Sequence, residues 1–126
     1  MKLSTSFVII ASVTSAMAGC YSGGQAWIDD CNKNAFRGAV RDLCKGTLSG
    51  YFDSPGKTKY ACANSPCNGI RANFAVGWRG RSGGYSLAEN DCVTRLNNEI
   101  DHCDHGGEST VADWFFQSDP NSGYCG

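Results

Sequence analysis

The chain has 126 residues, 18% of them charged and 41% hydrophobic, with eleven Lys and Arg against twelve Asp and Glu for a net charge of −1. That length suits one domain, and a chain without positive excess is not built to hold nucleic acid. No apolar run reaches the roughly 20 residues of a membrane-spanning helix.

Lys2, an apolar stretch from Leu3 to Ala16 and the small-x-small sequence Ala16-Met17-Ala18 form the pattern of a secretory signal peptide over residues 1–18. Cleavage leaves residues 19–126 as a single domain and removes Lys2, so ten basic residues face twelve acids, a net charge of −2. The eight cysteines, Cys20, Cys31, Cys44, Cys62, Cys67, Cys92, Cys103 and Cys125, all lie in that part. An even count in a small exported chain implies disulfides, because the oxidising compartment pairs thiols and a small core needs cross-links. Four bridges are expected, and eight cysteines leave about 105 pairings open.

In chain order, "GGQAWIDDCNKNAFRGAVRDLCKG" predicts a helix. Trp27, Cys31, Ala35, Ala39 or Val40, and Leu43 recur at helical spacing, and Lys45 and Gly46 close it. Lys33, Arg37, Arg41 and Lys45 form a basic stripe on a solvated face. "TLSGYFDSPGKTKYAC" predicts a β-hairpin around Asp53-Ser54-Pro55-Gly56. "IRANFAVGW" alternates, placing Ile70, Ala72, Phe74, Val76 and Trp78 on one face of a strand. "RGRSGGY" is a turning loop without the Lys of a phosphate-binding loop. Ser86 with Glu89 reads as a capping box, opening at Leu87 a second helix that carries Cys92, Leu96, Ile100 and Cys103 inward and ends at Gly106-Gly107. "STVADWFFQSDP" predicts a strand with Ala112, Trp114 and Phe116 on one face, followed by a turn from Asp119 to Gly123. The expected fold class is α+β, a two-layer sandwich with two helices packed on one face of a small antiparallel sheet, rich in disulfides.

Charge is unevenly spread. From Lys33 to Arg81 there are nine basic and two acidic residues, and from Glu89 to Asp119 one basic and eight acidic, so the two segments are expected to lie together and neutralise. "EIDHCDHGGEST", residues 99 to 110, offers His102 and His105 with Asp101 or Asp104 as metal ligands. It has neither a His-Glu-x-x-His pattern nor a third His, and His102 suits a helix C-terminus, so a structural role is expected, with no metal and no cofactor. Oxidised cysteines cannot serve as nucleophiles, and Ser109, His105 and Asp104 are too close in sequence for a catalytic triad. The chain is read as a non-enzyme.

"CYSGGQAW", "LSGYF", "KYAC", "NFAV", "DCVTRLNNEIDHC" and the close "GGES…ADWFFQSDPNSGYC" together resemble the small secreted cysteine-rich fungal glycan-binding domain of ink-cap mushroom lectin type. The likeness covers nearly all of residues 19–126, and it implies the fold, secretion and a lectin-like role with glycans or glycoproteins as partners. The same helix-on-sheet, disulfide-rich pattern is similar to fungal killer toxins and necrosis-inducing effectors, an alternative in which the partner is a membrane or host target. Alternation alone suggests where a sugar sits. Arg71, Asn73, Asp113, Phe115 and Gln117 emerge on the face away from the helices, with Tyr51 on the neighbouring hairpin as a second ring. The glycine-rich loop with Trp78, Arg81 and Tyr85 is the competing location. Phe115 is alternatively the contact of a homodimer.

Overall fold

The computed structural model describes residues 19–126, so the signal peptide expected over residues 1–18 lies outside the described residues. Helix α1 spans Asp30–Leu43. The Asp29 carboxylate caps it by accepting from Asn32 N at 3.1 Å, and Asn32, Phe36 and Val40 form its buried face. Val40 lies on that face as expected, but Cys31 and Ala35 do not, because Trp27 is not helical. Asp29 N donates to Trp27 O across Ile28, whose φ of 81° makes a tight γ-turn ahead of the helix. Trp27 therefore does not set the helical phase, although it is buried as expected.

Two antiparallel sheets follow. β1 (Gly50–Phe52) pairs with β4 (Tyr85–Leu87) in a two-stranded ribbon, and β2 (Thr58–Asn64), β3 (Ile70–Trp78), β5 (Gly107–Val111) and β6 (Trp114–Ser122) form a sheet of order β2-β3-β6-β5. The hairpin expected around Pro55-Gly56 is thus not formed. The turn is there, with Lys57 N donating to Ser54 O at 3.1 Å, but Gly56 N donates to Trp78 O at 2.7 Å and Trp78 N to Lys57 O at 2.9 Å, so the turn docks on the end of β3 and carries the chain from ribbon to sheet. Phe52 pairs with Tyr85 instead of with β2.

The inward row of β3, Ile70, Ala72, Phe74, Val76 and Trp78, is buried as its sequence predicts, but Ala75 and Gly77 of the outer row are buried too. "STVADWFFQSDP" is two strands joined at Ala112 and Asp113, whose φ of 51° and 68° make a two-residue hairpin turn of the mirror-image type I kind. Asp119–Ser122, expected to turn, continues β6. Pro120 is tolerated there because its ring nitrogen side faces Gly106, beyond the point where β5 begins opposite Ser118.

Helix α2 spans Glu89–His102 and buries Cys92, Leu96, Glu99 and Ile100. Its N-cap is Ala88 and no side chain caps it; Ser86, the expected capping residue, is held in β4 opposite Tyr51. Both helices close the inner face of the four-stranded sheet, where Phe36, Val40, Leu96 and Ile100 meet Phe74, Val76 and Phe116 in one core. The ribbon lies on the same side, since Phe52 packs edge-on to Trp114 at 4.9 Å. Arg37 of α1 meets Asp101 of α2 at 2.6 Å, the salt bridge that joins the basic and acidic segments among the described residues.

All eight cysteines are paired, as Cys20–Cys103, Cys31–Cys67, Cys44–Cys92 and Cys62–Cys125. They tie the N-terminal segment to the end of α2, the start of α1 to the β2–β3 turn, helix to helix, and β2 to the C-terminal segment. The α+β two-layer arrangement with two helices on an antiparallel sheet is therefore the observed fold.

Candidate functional site

On the outer face of the four-stranded sheet, strand register sets the residues in rows. Thr58, Gly77, Phe115 and Thr110 lie side by side; so do Tyr60, Ala75, Gln117 and Glu108, then Cys62, Asn73 and Asp119, then Asn64, Arg71 and Asn121. Arg71, Asn73, Phe115 and Gln117 thus share one face, as alternation predicts.

Their groups are already engaged. Arg71 Nε and Asn121 Nδ2 donate to Asn73 Oδ1 at 3.2 and 2.8 Å, and Arg71 Nη1 donates to Ser122 O. Gln117 Nε2 donates to Tyr21 OH at 2.7 Å, which donates in turn to Glu108 Oε1 at 2.8 Å. Burial, chiefly, and the Glu108 carboxylate push the Tyr21 hydroxyl up to about 12, so it remains a donor at neutral pH. The Arg79 guanidinium lies 5.1 Å from the Phe115 ring centroid and fills the space left by Gly77, covering the ring that a sugar would need. Tyr60, at 74% exposure, is the open ring on this face, and alternation in β2 would have marked it.

Tyr51 and Asp113 are elsewhere. Tyr51 belongs to the ribbon on the helix side, exposed and folded against Gly84, so the sheet separates it from the outer face. Asp113 sits in the β5–β6 turn at the end of the sheet.

That turn borders a cleft of about 450 Å³ between β4, the first half of α2 and the ends of β3 and β6. Trp78 and Trp114 are register partners whose ring centroids lie 4.8 Å apart. Tyr85 stands 5.0 Å from Trp78 and 6.4 Å from Trp114, at 80° to the latter. Trp78 Nε1 donates to Gly83 O at 3.0 Å, and Gly80 leaves the room that its indole occupies. The two Trp are mostly buried, whereas Tyr85 is 59% exposed and offers its ring to solvent. Leu87, Val111 and Phe116 supply further apolar lining; Ser86, Asp91, Arg95 and Asp113 supply the polar groups.

Trp78 and Tyr85 are legible in the sequence as a competing location, but Arg81 of the same loop does not line the cleft. Trp114 joins them only through the Ala112–Asp113 turn. Asp91 and Arg95 join through the helix, four residues apart on one of its faces.

The segment from Glu99 to Thr110 works as a clasp for the N-terminal segment. Cys103 O accepts from Trp27 Nε1 at 2.8 Å, Asp104 O from Trp27 N at 3.1 Å and Gly106 O from Tyr21 N at 2.9 Å. His105 Nδ1 donates to Gly24 O at 3.0 Å, and His102 is the exposed last residue of α2. No protein-family model and no curated protein matches this chain.

Proposed function

We propose that this chain is a secreted, disulfide-stabilised protein that binds glycans, and that the sugar seats in the cleft bordered by Tyr85 and the Ala112–Asp113 turn. The observation that carries the reading is the pairing of an aromatic wall with carboxylate, guanidinium and hydroxyl groups in one concavity. A pyranose has an apolar C–H face and a rim of hydroxyls; an exposed ring takes the first, and side chains with two parallel donors or acceptors take the second. Asp91 and Asp113 each present two acceptor oxygens, and Arg95 presents a planar fork of donors. On the outer sheet face the ring of Phe115 is covered and the amides bond to one another, so the open ring of Tyr60 stands there with few uncommitted polar groups beside it. Four disulfides fit an oxidising, extracellular destination. The role is binding without turnover.

A glycan array probed with the folded wild type, Tyr85→Ala and the double variant Asn73→Ala/Phe115→Ala tests this reading, beside a vesicle-leakage assay. The wild type binds selectively, Tyr85→Ala weakens that binding at least tenfold, a loss of about 1.4 kcal/mol, and the outer-face variant keeps it. Loss of binding in the outer-face variant alone moves the site to the sheet. Vesicle leakage without glycan binding contradicts the lectin role in favour of the toxin alternative.

A further inference from the structure

The charges of the cleft narrow its ligand. Asp91 lies in the first turn of α2, Arg95 one turn later and Asp113 in the β5–β6 hairpin turn, so two carboxylates and one guanidinium line the same cleft as the exposed ring of Tyr85. Among the described residues the salt bridges are Arg37–Asp101 and Lys45–Asp42; neither Asp91 nor Asp113 has a Lys, Arg or His nitrogen within 4.0 Å. Among the described residues neither carboxylate takes a hydrogen bond from another side chain. The partial positive charge at the start of α2, about half an elementary charge, is more than matched by Glu89 and Asp91 in its first turn. Arg95 is moreover shared with Glu99, one turn further along the same helix, whose charged form it favours. Carboxylates placed beside rings are the two parts of an ammonium site: the acids attract the charge, and the ring quadrupole attracts it again.

We infer that the cleft selects sugars bearing a free amino group, the ammonium held by Asp91 and Asp113 beside Tyr85. The inference rests on the cleft being the sugar site. It places the ligand among de-N-acetylated glycans, whose C2 ammonium offers three donors to acceptors that a neutral sugar would leave partly unpaired.

Three β-1,4-linked tetrasaccharides that differ only at C2, carrying hydroxyl, acetamido or ammonium, separate the possibilities by titration calorimetry at pH 6. The probes are the glucose, N-acetylglucosamine and glucosamine tetramers, with tetralysine as a charge-only control. The glucosamine tetramer is expected to bind at least tenfold more tightly than the other three. Asp91→Asn and Asp113→Asn should each reduce that preference about tenfold while leaving the far-ultraviolet circular dichroism unchanged; Asn tolerates the left-handed backbone at residue 113. Equal or tighter binding of the acetamido or hydroxyl tetramer overturns the amino preference but leaves the glycan reading standing. Tetralysine binding as tightly as the glucosamine tetramer overturns it too, as charge attraction without sugar recognition. If none of the tetramers binds while the array shows another sugar, the amino preference alone fails; if the array is also silent, both readings fail.

Discussion

Glu99 is buried on the inward face of α2 at 1% exposure, with Ser109 Oγ and Asn98 Nδ2 both donating to Oε2 at 3.2 Å and no partner for Oε1. Burial raises its pKa above the usual glutamate value, outweighing those two hydrogen bonds and the nearby charge of Arg95. The folded chain therefore holds the proton more tightly than the unfolded chain. Stability is full below the ordinary glutamate range and falls as pH rises through the folded-state pKa, the reverse of an ion-paired carboxylate. Glu99→Gln is expected to raise Tm at pH 7, by about 4–8 °C for each kcal/mol recovered, and to lose that advantage below pH 4. Thermal melts of both proteins from pH 3 to pH 8 check it. A buried Glu within a run of polar residues gives no periodic signal, so the sequence does not mark it. Arg79 is hidden for a similar reason: alternation places Phe115 on the outer face, but the covering of its ring depends on the gap at Gly77, which exists only once β3 and β6 are paired.

The Ala112–Asp113 turn shows what a local pattern misses at the scale of elements. Neither residue is Gly or Asn, so the alternation of "STVADWFF" runs through the turn and reads as one strand. The backbone instead reverses with both residues at positive φ, which costs roughly 1–2 kcal/mol at Ala112 and less at Asp113, a residue type that such turns accept. Strain kept at the rim of the cleft is consistent with a binding role. Ala112→Gly is expected to stabilise the fold by about 1 kcal/mol, measured by urea denaturation, with sugar binding retained. Asp113→Gly should also relieve strain yet weaken binding, since it removes a carboxylate from the cleft. The misplaced hairpin has a related origin. Pro55-Gly56 does turn the chain, but a turn signal cannot say whether the following strand returns to its predecessor or joins another sheet. By contrast, β3 and α2 were readable because their hydrophobic periods are strong and their inward residues are large.

For the molecule as a whole, the cysteine count and the two apolar helical faces announce a cross-linked helix-on-sheet sandwich, and that is its form. Connectivity was not legible, because each pair joins segments that only tertiary packing brings together, from 36 to 83 residues apart. Cys44–Cys92 locks the end of α1 to the start of α2 with both cysteines fully buried. Replacing the pair by Ala should cost about 2–5 kcal/mol, visible as a large drop in the denaturation midpoint. Among the described residues the outer face of the four-stranded sheet and the aromatic cleft are the two locations weighed for a sugar, and they lie on opposite sides of the sheet. Amide and indole chemical shifts of isotope-labelled protein, followed while an array-selected oligosaccharide is added, distinguish them directly. Glycan binding in the cleft requires the shifts to cluster at the Trp78 and Trp114 indoles, Tyr85 and the Ala112–Asp113 turn; a cluster at Asn73, Phe115 and Gln117, or none at all, contradicts it.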